Sequence, residues 1–174
     1  VTPRLEAHGV TVRFGGLVAV DGVDIAVGAD AIVGLVGPNG AGKTTLFDVL
    51  TGLRRPSGGG VAIDGQDVTS WSPQRRAEVG LGRTFQRLEL FDDLTVADHV
   101  RLAYRMRLGR PRVLRDLIAP GRGRTDGEED VVRQVLESLG LDPVADRQAA
   151  SLPLGTGRLV EVARALARRP RVLL

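Results

Sequence analysis

The sequence has 174 residues, 43% of them hydrophobic and 26% charged, enough for one domain or slightly more with a sizeable core. Cysteine is absent and the two histidines, His8 and His99, stand far apart, which excludes disulfide scaffolds, thiol catalysis and cysteine zinc sites and argues against a histidine metal cluster. The 24 Lys and Arg against 21 Asp and Glu leave a modest excess of three, read as solvated Arg-rich surface, and aromatics at 3% argue against a base-stacking nucleic-acid binder.

Residues 1–14 carry Arg4, Glu6 and His8 and no signal-like apolar run. Val10, Val12 and Phe14 alternate with Thr11 and Arg13, and Val23, Ile25 and Val27 with Asp24 and Ala26. With Gly15-Gly16 between them, they predict an antiparallel β-layer. The apolar stretch 17–37 is broken by Asp21, Asp24 and Asp30 and does not read as a bilayer span. Within it, residues 31–36 form a nearly continuous apolar run ending at Gly37, expected to be a buried strand of a parallel sheet. A helix is expected from about Lys43 to Leu53. A short strand follows over 61–63, closed by Asp64-Gly65, then a short helix over 73–78 and a short strand over 81–85.

Beyond Asp92 the pattern turns helical. Thr95 is placed to cap a helix, with Asp98 three residues on, and Val96, Val100, Ala103 and Tyr104 share one face. Residues 109–124 are rich in Arg, Pro and Gly and read as an insertion. Val131, Val132, Val135, Leu136 and Leu139 form a second stripe, ended by Gly140. Leu159, Val162, Ala163 and Leu166 form a third, stopped at Arg169-Pro170, and residues 171–174 begin a strand. The order predicts an α/β plan with an inserted helical subdomain.

The sharpest feature is Gly37-Pro38-Asn39-Gly40-Ala41-Gly42-Lys43-Thr44, which satisfies G-x-x-x-x-G-K-[ST] between a predicted strand and a predicted helix. Gly40 and Gly42 let successive N–H groups turn inward, and the helix start aims its positive end at the same point. Lys43 is the one Lys in a chain whose other 23 cations are Arg. A compact ammonium suits a ring of amides around β- and γ-phosphates, where a planar guanidinium fits poorly. The Thr44 hydroxyl can ligate Mg2+. The glycine spacing does not fit the dinucleotide fingerprint.

A phosphate loop alone leaves kinases, GTPases, helicases and transport ATPases open. Arg83-Thr84-Phe85-Gln86 and Ser151-Leu152-Pro153-Leu154-Gly155-Thr156-Gly157-Arg158, the latter preceding a helix that reads Val160-Glu161-Val162-Ala163-Arg164-Ala165-Leu166, narrow the choice. With them the sequence resembles the ATP-binding cassette (ABC) ATPases, and among these the ATPase subunits of branched-chain amino-acid importers. The likeness includes Arg13-Phe14-Gly15-Gly16-Leu17-Val18-Ala19-Val20, residues 34–47, and Leu94-Thr95-Val96. It implies a P-loop NTPase core with an antiparallel β-subdomain and an inserted helical subdomain. The expected division is 1–90, ending in the Gln-loop, 91–157, ending in the signature segment, and 158–174, the return helix and the start of the Walker B strand.

By resemblance, Phe14 stacks on adenine, and Gly37, Pro38, Asn39, Gly40, Ala41, Gly42, Lys43, Thr44 and Thr45 hold the phosphates of ATP. Lys43 and Gln86 serve catalysis, and Thr44 and Gln86 attend Mg2+. Leu152, Pro153 and Gly155 meet the γ-phosphate held by a second ABC ATPase subunit, identical or not. Transmembrane permease subunits complete the implied assembly, at the cytoplasmic face of the membrane and without nucleic acid. Pro153 stands where the family signature usually has Ser, Leu154 replaces its first Gly, and Thr156-Gly157 replaces its polar pair. The loss of a hydroxyl at 153 removes one γ-phosphate contact.

In the family the strand beginning at Arg171 continues to a Mg2+-holding Asp and a water-polarising Glu, followed by further strands and a switch His. None is among these residues, and His8 and His99 match neither the place nor the context of that His. The stretch is therefore expected to be a fragment or a truncated product that binds nucleotide weakly, hydrolyses it negligibly and leaves apolar sheet surface open. An importer ATPase subunit leads. A non-hydrolysing nucleotide-binding remnant stands as the alternative, ahead of an ABC ATPase acting on DNA or ribosomes and of a nucleotide kinase.

Overall fold

The computed structural model describes residues 3–84, 89–107 and 127–174, which fall into two compact units, residues 1–81 with Leu174 and residues 82–173.

In the first unit β1 (Leu5–Phe14) and β2 (Leu17–Val27) form an antiparallel hairpin that closes at the Phe14–Leu17 pair. β3 (Gly58–Ile63) pairs with the other edge of β1 and β4 (Gln66–Asp67) with β3, giving the order β2-β1-β3-β4. The expected antiparallel layer is present, with longer strands than the alternation alone marked. Leu5, Ala7, Val10 and Val12 of β1 are buried with Val61 and Ile63 of β3. The helix α1 (Lys43–Thr51) adds Leu46, Val49 and Leu50 to this core. It ends two residues before the expected Leu53, because Gly52 turns left-handed at φ 81. A short helix α2 (Pro73–Glu78) starts as its sequence asks, with Pro73 in the first turn and Ser72 Oγ accepting from the Arg75 amide.

Residues 31–36 correct the sequence reading. They lie in no strand of the described residues, and Ile32 is fully exposed and Val36 94% exposed. An apolar run becomes a buried parallel strand only if partners pair with its edges and helices cover its faces. No described strand pairs with this one. Ile32, Val33, Leu35 and Val36 are exposed instead.

The second unit is a helical cluster of α3 (Val96–Arg107), α4 (Glu128–Ser138) and α5 (Leu154–Ala167). Val96, Val100, Ala103, Val131, Val132, Val135, Leu136, Val160 and Ala163 meet in its core. Thr95 caps α3 as expected: its hydroxyl accepts from the Asp98 amide at 3.1 Å and donates to the Asp98 carboxylate at 2.7 Å. Gly140, at φ 64, ends α4 with its own amide on Glu137 and that of Leu141 on Leu136, the paired bonds of a left-handed helix stop.

The third stripe is rotated from its expected position. Gly157, Val160, Ala163 and Ala167 are the buried residues of α5, and Leu159 is exposed. Of the expected stripe, Ala163 is in the core and Leu166 packs partly buried against it, while Leu159 turns outward and Gly157, Val160 and Ala167 complete the inner face. β5 (Leu81–Gly82) stops before Arg83 and Thr84 of the expected run, whose Phe85 lies outside the described residues, and forms a two-stranded ladder with β6 (Val172–Leu173).

Candidate functional site

The loop that leads into α1 is built by its own backbone. Gly40 and Gly42 adopt φ 82 and 81, and the Ala41 amide donates to the Pro38 carbonyl at 3.3 Å. Gly42 rests against Ala19 and Val20 of β2, which fixes the helix start on the sheet. The first helical bond runs from the Leu46 amide to the Gly42 carbonyl, and no side chain caps the helix. The amides of Lys43, Thr44 and Thr45 are the opening donors of the first turn, together with the positive end of the helix dipole.

The Lys43 ammonium folds back over this loop. Its Nζ donates to the carbonyls of Gly37 and Pro38 at 2.7 and 2.6 Å. Those carbonyls take up two of its three protons, and it makes no ion pair among the described residues. An anion at the loop would meet the ammonium and the helix amides together. Residues 37–41 and Thr44 are exposed, so the donors are open to solvent and to a ligand.

The other end of α1 is held by a cation the sequence did not mark. Arg76 is fully buried, and its guanidinium donates to the carbonyls of Val49 and Leu50 at 2.7 and 2.8 Å and to that of Thr69 at 3.0 Å. A positive group is favourable at a helix C-terminus as an anion is at the N-terminus. Burial lowers the Arg76 pKa, and a guanidinium remains charged all the same. In the sequence Arg76 stands in a short polar helix, where nothing distinguishes it from a solvated Arg.

Phe14 ends β1 at 42% exposure, with the Arg54 guanidinium 4.4 Å from its ring centroid. Arg54 also escaped the sequence reading. The signature segment runs into α5 earlier than expected, since the helix begins at Leu154 with Pro153 as its N-cap. The amides of Leu154, Gly155 and Thr156 open its first turn, and no side chain caps them. Leu152 packs against the helical core. Gln86 lies outside the described residues. No helix among the described residues is long and apolar enough to cross a membrane.

The family model described as ABC transporter matches residues 20–174, which include the phosphate loop and the signature segment. The chain belongs to the ABC transporter family. This ABC chain is 37% identical over 173 residues to the high-affinity branched-chain amino acid transport ATP-binding protein BraF of Pseudomonas aeruginosa, covering 99% of this chain and 68% of that one. It is 38% identical over 173 residues, with the same coverage, to the protein LivG of Escherichia coli K12, which carries the same description. Among solved structures, the ADP conformation of MJ1267, an ATP-binding cassette of an ABC transporter, superposes with a TM-score of 0.79 at 30% identity, over 99% of this chain and 68% of that one. The P-loop NTPase fold of the ABC ATPases is thus the fold of this chain.

Proposed function

We propose that this ABC chain is the ATP-binding subunit of an importer of branched-chain amino acids. The observation that carries the reading is the Lys43 loop, with an ammonium that makes no ion pair among the described residues and three opening helix amides at one exposed point. The cargo is argued from the relatives' names and from the importer-type residues around Phe14, Thr84 and Gly155.

On this reading, Gly37 to Thr45 wrap the phosphates of ATP, and Lys43 exchanges its two carbonyl acceptors for β- and γ-phosphate oxygens. Thr44 is exposed next to Lys43 and offers one hydroxyl oxygen, the hard donor that Mg2+ prefers. When bound, Mg2+ neutralises phosphate charge. Gln86 would complete the catalytic set, and Phe14 would carry adenine. Leu152, Pro153 and Gly155, at the start of α5, would meet the γ-phosphate on a second ABC subunit, with the helix dipole in place of the absent Ser hydroxyl. The subunit would work against permease subunits at the cytoplasmic face of the membrane. The division into 1–90, 91–157 and 158–174 goes with this assembly. Residues 1–174 taken by themselves supply the phosphate grip, and binding with negligible turnover is the expected outcome for them.

The test is calorimetric titration of MgATP into the chain and into its Lys43→Ala variant. Saturable binding, weakened at least about tenfold in the variant, supports the reading, since loss of a charged hydrogen-bonding partner is worth roughly 1.5–3 kcal/mol. Binding indifferent to the ammonium would sink it.

A further inference from the structure

The hairpin and the loop after α1 together build an arrangement around Phe14 that the phosphate loop does not require. Ser57 is stitched to β1: its amide donates to the Thr11 carbonyl at 2.7 Å, and its hydroxyl accepts from the Arg13 amide at 3.1 Å. The Arg54 amide is in turn tied to the Asp48 carbonyl at 3.0 Å. The loop is thereby held beside the end of β1, and it delivers the Arg54 guanidinium onto the Phe14 ring at 4.4 Å. Arg54 is exposed and makes no ion pair among the described residues. Its resolved partner is the aromatic face.

The sheet order decides from which side each part comes. β1 lies between β2 and β3. The phosphate loop abuts β2 through Gly42 against Ala19 and Val20. Arg54 arrives from the β3 side, on the loop that leads into Gly58. Phe14 therefore has a cation over one face of its ring, and its 42% exposure leaves ring surface free.

The geometry points to Arg54 as the positioning residue for the base of the bound nucleotide: it backs one face of Phe14 and leaves the opposite face as the purine platform. This deepens the nucleotide reading above and rests on it. A phenyl ring at a strand end has rotamer freedom that a stacking ligand must remove, and a guanidinium already seated on it removes that freedom beforehand. The cation also draws ring density toward its own side. The free face becomes a better partner for an electron-rich purine.

The test uses two ligands, MgATP and magnesium tripolyphosphate, which share the phosphate chain and differ in the base. Their affinities are measured by calorimetry for the wild-type chain, Arg54→Ala, Arg54→Lys, Phe14→Ala and the double variant. A cation on an exposed ring has a strength that corresponds to about two- to fivefold in affinity. Arg54→Ala is expected to weaken MgATP by that factor and leave tripolyphosphate unchanged, and Arg54→Lys to recover part of the loss. In the Phe14→Ala background, Arg54→Ala is expected to add nothing. Three results overturn the inference and leave the nucleotide reading standing. They are equal loss for both ligands, no change in MgATP affinity, and tighter MgATP binding, which would mean that the guanidinium occupies the base's own place. A wild-type chain that takes up neither ligand overturns the nucleotide reading, and the inference with it.

Discussion

Gly42 and Ala19 touch backbone to backbone: a Cβ built on Gly42 would lie 2.2 Å from the Ala19 carbonyl oxygen and 3.2 Å from Val20 Cγ2. The same residue holds φ 81, in the left-handed region. Two constraints therefore coincide at the helix start, and either one demands glycine. Gly42→Ala must push α1 off β2 or unwind its first turn. The expected outcome is loss of MgATP binding in calorimetry together with a destabilisation of about 2 kcal/mol or more in urea unfolding. Gly40→Ala makes the comparison, since nothing lies within 4 Å of a Cβ there and only its φ of 82 opposes the change. It should cost about 1 kcal/mol.

Arg76 and α1 give a second prediction. Replacing Arg76 by Ala removes the guanidinium from the buried Leu50 carbonyl and the half-buried Thr69 carbonyl, and leaves the Val49 carbonyl with the Gly52 amide as its remaining donor. With a desolvation penalty of roughly 1–3 kcal/mol for each unsatisfied group, partly relieved by water, a loss of about 3 kcal/mol is expected. Arg76→Lys should recover only part, because one ammonium cannot span the helix end and the Thr69 carbonyl as the fork does. Equilibrium unfolding followed by the fluorescence of Trp71 measures both, since the Trp71 ring lies under Arg75 on the adjoining turn. Stability unchanged in Arg76→Ala would refute the assignment.

His99 gives the pH prediction. Its ring is buried in the second unit, with Nδ1 2.8 Å from the Thr95 carbonyl and Nε2 accepting from the Phe91 amide at 2.9 Å. A ring that donates at Nδ1 and accepts at Nε2 is neutral, and a proton added at Nε2 would face the Phe91 N–H. Burial holds the pKa below its ordinary value of 6.5; the Thr95 carbonyl opposes this, Arg164 adds to it, and Glu161 and Asp98 counter it more weakly. With the folded pKa depressed, the unfolded chain binds the proton first as pH falls. Stability is then full above about 6.5 and is lost on acidification toward the folded pKa, by up to about 1.4 kcal/mol per pH unit. Urea midpoints from pH 7.5 down to 5 should show this slope, and His99→Gln should lack it. A slope that persists in His99→Gln would assign it to another group.

The elements that the sequence marked well are those whose cause is local. Ser72-Pro73 opens α2, Thr95 with Asp98 opens α3, and Gly140 closes α4, each through bonds among residues a few positions apart. The phosphate loop belongs here too, since its ring is made by consecutive residues. Arg54 and Arg76 were not marked, because each acts on a partner far away in sequence. Phe14 lies 40 positions before Arg54, and Val49 lies 27 before Arg76.

Periodicity also reached its limit in α5 and in residues 31–36. The α5 sequence offers a Leu track and a small-residue track, and either could face inward. Contact with α3 and α4 selected Val160, Ala163 and Ala167. For residues 31–36 an apolar run states what could be buried, and burial itself requires neighbours to pair and cover it. The sequence by itself determined that a glycine-rich turn of phosphate-loop pattern sits at residues 37–44 and where most helices start and stop. Tertiary structure alone decided which apolar faces are covered, that Arg76 leaves solvent and that Arg54 meets Phe14, because all three depend on surfaces that distant segments bring together.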